Sequence, residues 1–258
     1  MLGIGYYLIK RPLSYIYQWY KTLGNANERL SISPNPRNKN QKVYVVVYGA
    51  RNHGSRAFCN FLAQRGYSLI IIDSDEASLN SAEKHISKNF TDISIMKVKM
   101  ESFEETEALR IIKQINKFGE LIKGLVITKN VMLNEQNSKK FEDLSYDEIH
   151  QIMYDNNEMM VGLINVLLKS IKKAGNGFIV NLRNHKYKSE EDSLYWDLLY
   201  NSTSKYSTIL VEALKKSEKA VNFINVSVNY DRIKTEEDKE RMCWKTFSYL
   251  GISESIEF

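Results

Sequence analysis

Proline is scarce in this sequence: of 258 residues only Pro12, Pro34 and Pro36 are proline, and all three lie near the start. The rest of the chain lacks the residue that most reliably interrupts helices and strand ladders. A boundary is therefore expected near Lys42, between an extension at residues 1–42 and one domain at 43–258. Cysteine is nearly as rare. Cys59 and Cys243 lie far apart, with no CxxC or Cys/His spacing, and the four histidines (His53, His85, His150, His185) are scattered. That excludes a disulfide framework and leaves no recognisable ligand set for a metal.

Long apolar runs are missing too. Residues 1–23, MLGIGYYLIKRPLSYIYQWYKTL, are broken by Lys10, Arg11 and Pro12 well short of the roughly 20 apolar residues that span a bilayer. The apolar stretch precedes the charges and no small-residue cleavage site follows, which is the wrong order for a secretory signal. Tyr6, Tyr7, Tyr15, Tyr17, Trp19 and Tyr20 suit a boundary where one end of a ring is dry and the other wet, so a membrane surface or another protein is the expected contact.

The formal net charge of +5 comes from this extension. It holds Lys10, Arg11, Lys21, Arg29, Arg37, Lys39 and Lys42 against Glu28, leaving 29 basic and 30 acidic residues from Val43 onward. A domain so balanced offers no phosphate-tracking surface, and nucleic acid is not expected as a partner.

From Val43 onward, β-branched and aromatic runs alternate with helical patterns. KVYVVVYGA is a strand buried on both faces; SRAFCNFLAQRG is a helix with Gly66 in the left-handed position after it; YSLIIIDSD is a second buried strand. Helices are expected near Glu76–Lys88, Ser102–Lys117, Tyr146–Lys173 and Leu198–Ser217. Strands are expected in ISIMKVKM, GLVIT, GFIVNLR and NFINVSVN. Such alternation predicts a Rossmann-like α/β fold, a doubly wound parallel sheet whose ligands sit at the carboxyl ends of the strands.

In order and spacing, residues from Val43 to about Asn229 resemble the short-chain dehydrogenase/reductase family. The aromatic leader and the tail WKTFSYLGI look more like its membrane-associated branch of 17β-hydroxysteroid dehydrogenases and very-long-chain 3-oxoacyl-CoA reductases. The family's first turn, TGxxxGxG, places its glycines where the backbone approaches a pyrophosphate. Here Tyr48 replaces Thr, Gly49 matches the first Gly, and His53 and Ser55 replace the other two, with Gly54 between them. A phosphate-binding GxxxxGK[ST] loop fails as well, since Ser55 and Arg56 follow Gly54.

The resemblance implies cofactor contacts at Gly49, Gly54 and Asp73, an acid at the end of the second strand being the acceptor for an adenosine ribose. A solvated aspartate opening a turn is the alternative for Asp73. The NNAG after the fourth strand corresponds to TKNV, without its glycine. Among the catalytic positions that the resemblance implies, Asn156 and Lys205 match the family's Asn and Lys. Asn184 stands at the Ser and Asn201 at the Tyr that is the general acid/base.

Tyr200 is displaced by one residue. At about 100° per residue it points roughly 140° from Lys205, whereas Asn201 shares Lys205's face. Only a one-residue bulge would realign Tyr200, and loss of a general acid costs on the order of 10² to 10⁴ in rate. The segment after the sixth strand, DRIKTEEDKER, reads as a short charged lid, ill suited to a greasy pocket.

The sequence thus describes an inactive member of this fold serving as an accessory subunit of a membrane-associated complex, with other subunits or a membrane meeting residues 1–23. No cofactor is expected. An active reductase using NAD(H) or NADP(H) on a ketone or 3-oxoacyl substrate, and an inactive subunit that holds a nucleotide, are the alternatives. The mitochondrial inner membrane is the favoured compartment, with the endoplasmic reticulum as alternative. Homodimer formation is left open, since the helices at Tyr146–Lys173 and Leu198–Ser217 mediate pairing in the family.

Overall fold

The computed structural model describes residues 42–50, 53–100, 109–110, 113, 121–128, 145–184, 205–206, 209–210, 212–214, 221–228, 233–249 and 255–257. The leader, the linker, most of the expected helix at Ser102–Lys117, and residues 185–204, Tyr200 and Asn201 among them, lie outside this set.

Chain order gives β1 (Val43–Tyr48), α1 (His53–Gln64), β2 (Ser68–Asp73), α2 (Glu76–Asn89), β3 (Ile95–Lys99) and β4 (Leu121–Ile127). Then follow α3 (Tyr146–Met153), a π-helical turn (Tyr154–Glu158), α4 (Met159–Lys173), β5 (Gly177–Asn184), β6 (Val221–Val228), α5 (Glu236–Tyr249) and β7 (Ser255–Glu257). The seven described strands form one sheet in the order β3-β2-β1-β4-β5-β6-β7. Each neighbouring pair runs parallel. This is the doubly wound Rossmann-like arrangement, and its order reverses between β1 and β4.

The uninterrupted apolar strands are explained by what covers them. Val45 and Val47 of β1 pack with α1, with Leu79, Ala82 and Ile86 of α2, and with Met242, Cys243 and Phe247 of α5. Tyr44, Val46 and Tyr48 face the other layer, where Met159, Leu163, Leu167 and Ile171 of α4 close the core. Leu210 and Leu214 pack against that same cluster, so the chain near residue 210 joins α4 on the second face.

Two local features depart from the sequence reading. The helix expected from Tyr146 to Lys173 is broken by the π-turn at Tyr154–Glu158, where one extra residue per turn shifts the face that α4 presents to the sheet. The lid expected in DRIKTEEDKER is instead the start of α5 from Glu236. Thr235 and Asp238 form a reciprocal cap: the Asp238 amide donates to Thr235 Oγ1 at 3.1 Å and the Thr235 amide to Asp238 Oδ2 at 3.0 Å. The Thr235 amide, and with it the Thr235 hydroxyl, donates to the Asp238 carboxylate and holds it below its usual range. Glu236, Glu237, Glu240 and Arg241 are exposed, while Met242, Cys243 and Phe247 of α5 enter the core and Ile233 packs against it.

β4 carries a bulge. Tyr44 pairs with Ile122 and Val45 with Gly124, so Lys123 is the extra residue, and its Nζ donates to the Gly175 carbonyl at 2.6 Å. Gly124 lies beneath Phe178 of β5, where an added Cβ would meet the ring at 2.3 Å.

Candidate nucleotide site

A doubly wound sheet opens a crevice where its strand order reverses, here at the carboxyl ends of β1 and β4. β1 runs out into Gly49, whose φ of 99° is open to glycine and strained for other residues. The turn that follows is fastened by groups from two other strands. The Gly49 amide donates to the Ile72 carbonyl at 2.8 Å, and the Ala50 amide donates to Asp73 Oδ2 at 2.6 Å.

Asp73 is not a solvated turn residue. It is 3% exposed, its Oδ1 accepts from the Asp75 amide at 3.2 Å, and its carbonyl accepts from the Met100 amide at 3.0 Å. A buried carboxylate is tolerated only with such partners. The positive ends of α1, starting at His53, and α2, starting at Glu76, belong to the segments that follow β1 and β2.

Thr128, just past β4, secures the turn from the opposite side. Its hydroxyl lies 2.9 Å from the Tyr48 carbonyl and 2.8 Å from that of Gly49, and its amide donates to the Tyr48 carbonyl at 2.8 Å. Sequence reasoning treated TKNV as a degraded motif and gave Thr128 no role. A threonine directly after the apolar run Leu125–Ile127, where a buried hydroxyl needs a partner, was the available signal.

Gly54 sits in the first turn of α1 behind His53, and Ser55 is buried beside it. Burial pushes the Cys59 thiol up to about 12, with a smaller opposing effect from its hydrogen bond with Ser55. Asn156 falls within the π-turn. Asn184 is the last residue of β5, opposite Val228. Lys205 is helical and exposed, and Tyr206 beside it is 43% exposed.

The structure therefore brings Gly49 and Asp73 together. Asn156, Asn184 and Lys205 are placed on three separate elements. Three residues before the ends of β5 and β6, Asn181 donates to Asn225 Oδ1 at 3.0 Å in a buried pair. Among the described residues no three His, Cys, Asp or Glu side chains gather as a metal site, and no helix is long and apolar enough to cross a membrane.

Fold and strand order define a Rossmann-like, doubly wound α/β architecture. More specifically, the chain belongs to the short chain dehydrogenase family, whose model matches residues 43–229. No curated protein matches the sequence.

Solved structures similar to it include a short-chain dehydrogenase/reductase from Serratia marcescens, at 13% identity and a TM-score of 0.63, covering 84% of this chain and 96% of that one. The NADH-dependent reductase A1-R′ complexed with NAD is similar at 10% identity and a TM-score of 0.65, covering 84% and 95%. An alcohol dehydrogenase from the archaeon Thermococcus sibiricus, complexed with 5-hydroxy-NADP, is similar at 16% identity and a TM-score of 0.62, covering 84% and 95%. Likeness at such identities speaks for the fold.

Proposed function

We propose that this chain is a catalytically silent member of the short-chain dehydrogenase fold and serves as an accessory subunit of a membrane-associated assembly. The observation that carries the reading is Asp73, buried at 3% exposure with its two carboxylate oxygens turned to the Ala50 and Asp75 amides. The residues present do not fit a nicotinamide dinucleotide held in the family's manner. The acid that would receive a ribose hydroxyl faces its own turn, and His53 and Ser55 stand where the family keeps glycine.

The chemistry of the catalytic positions supports the same reading. Asn201 has no proton to exchange near neutral pH, and Asn184 replaces a hydroxyl. The aromatic, basic residues 1–23 supply the membrane or partner contact, and the mitochondrial inner membrane is the compartment we propose. The membrane-associated 17β-hydroxysteroid dehydrogenase and 3-oxoacyl-CoA reductase branch is the ancestry we propose.

A second reading, an inactive subunit that retains a nucleotide, is favoured by the φ of 99° at Gly49 and by the helix that starts at His53. Native purification of the full chain under mild detergent separates assembly from autonomy. The chain is expected only in particles far larger than 30.0 kDa, and a stable free monomer or dimer that reduces carbonyl compounds would overturn the proposal.

A further inference from the structure

We infer that Asp73 is the glycine turn's own ligand, a positioning residue whose carboxylate holds Gly49–Ala50 in shape without any nucleotide. The inference rests on the cofactor-free reading above and adds the physical device behind it. In a nucleotide-binding turn of this architecture the phosphate meets the amides at the helix N-terminus, and the acid ending the second strand is left to accept from a ribose. Here the Ala50 amide is spent on Asp73 Oδ2 at 2.6 Å, across 23 positions of sequence. An amide bonded to a carboxylate is among the stronger hydrogen bonds of a protein interior.

The acid cannot easily turn away. Its carbonyl is fixed by the Met100 amide, its second oxygen by the Asp75 amide, and the neighbouring Ile72 carbonyl by the Gly49 amide. β2 and the turn are thereby laced by two consecutive bonds, Gly49 to Ile72 and Ala50 to Asp73. A nucleotide whose ribose met Asp73 would have to compete for a carboxylate that already accepts from two backbone amides. It would also bring its phosphate charge toward a buried carboxylate.

The test is site-resolved hydrogen exchange on the full chain and its Asp73→Ala and Asp73→Asn variants, without nucleotide and with added NADH or ADP. In the unsubstituted chain, Ala50 is expected to be protected without nucleotide and unchanged on its addition. Asp73→Ala is expected to speed exchange at Ala50 on the order of tenfold to a hundredfold. Exchange within β5 should stay unchanged, and Asp73→Asn, which keeps a carbonyl acceptor, should fall between the two.

Fast exchange at Ala50 in the unsubstituted chain, protection that appears only with nucleotide, or an Asp73→Asn variant identical to the original would each overturn the inference. If Asp73→Ala unfolds, the asparagine variant and the unsubstituted chain still decide. Turnover of NADH by the original chain would refute the silent reading alone, because the exchange rates without nucleotide report on the turn by themselves.

Discussion

Thr128 Oγ1 lies 2.8 Å from the carbonyl oxygen of Gly49, so the end of β4 is tied to the turn at the end of β1. Because the threonine is fully buried, replacing its hydroxyl by a methyl leaves a carbonyl with one partner fewer and no water to replace it. Thr128→Val is expected to cost about 1–3 kcal/mol in urea unfolding, and Thr128→Ser to restore most of it. Equal stability of the valine variant would remove this tether from the account.

Gly124 is fixed by the ring above it. An alanine there would press its Cβ to 2.3 Å from Phe178, which is itself held edge-on to Phe247 at a centroid distance of 5.0 Å. Gly124→Ala should destabilise by about 1–3 kcal/mol through overpacking. Phe178→Leu in the same chain should cost less than it does alone, a coupling that a double-mutant cycle measures.

Arg65 sits between two rings. Its guanidinium carbon is 3.4 Å from the Phe61 centroid and 4.3 Å from that of Trp244, and Nη1 donates to the Phe61 carbonyl at 2.8 Å. Burial draws its pKa down, and Glu240 opposes that. The planar fork matters as much as the charge, so Arg65→Lys is expected to lose about 0.5–2 kcal/mol of stability despite keeping its cation. Thermal unfolding of the two chains compares them directly.

The two buried thiols make alkaline stability measurable. Burial pushes Cys59 up to about 12 and raises Cys243 well above the ordinary thiol range. The folded chain keeps protons that the unfolded chain releases above its ordinary thiol pKa, near ~8.5. The thiol contribution is therefore complete below that value and is lost as pH rises from there through about 12. Unfolding free energy should fall across this window in the native chain and more weakly in a Cys59→Ala, Cys243→Ala double variant. A thiol reagent should modify neither residue in the folded state at neutral pH.

The sheet was legible because β1 and the centre of β2 are apolar on both faces, a pattern that only a covered parallel sheet requires. The helix at Glu236 was hidden because its charges dominate composition, although the Thr235–Asp238 spacing was a readable cap. The π-turn has no local sequence signature, since it changes hydrogen-bond partners within a pattern that still looks helical. At the candidate site, Gly49 and Asp73 could be named from the sequence. That Asp73 turns inward to Ala50 could not, because the same acid at the same strand end serves a ribose or its own backbone, and only the placement of the turn distinguishes them.

The central claim is that this fold no longer transfers hydride. Steady-state oxidation of NADH and NADPH by the purified chain against a panel of ketones and 3-oxoacyl thioesters tests it most directly. No turnover above the protein-free rate is expected at any pH between 6 and 9, a range set at about the ordinary histidine and thiol pKa values. Sustained turnover that is abolished by Lys205→Ala would contradict it.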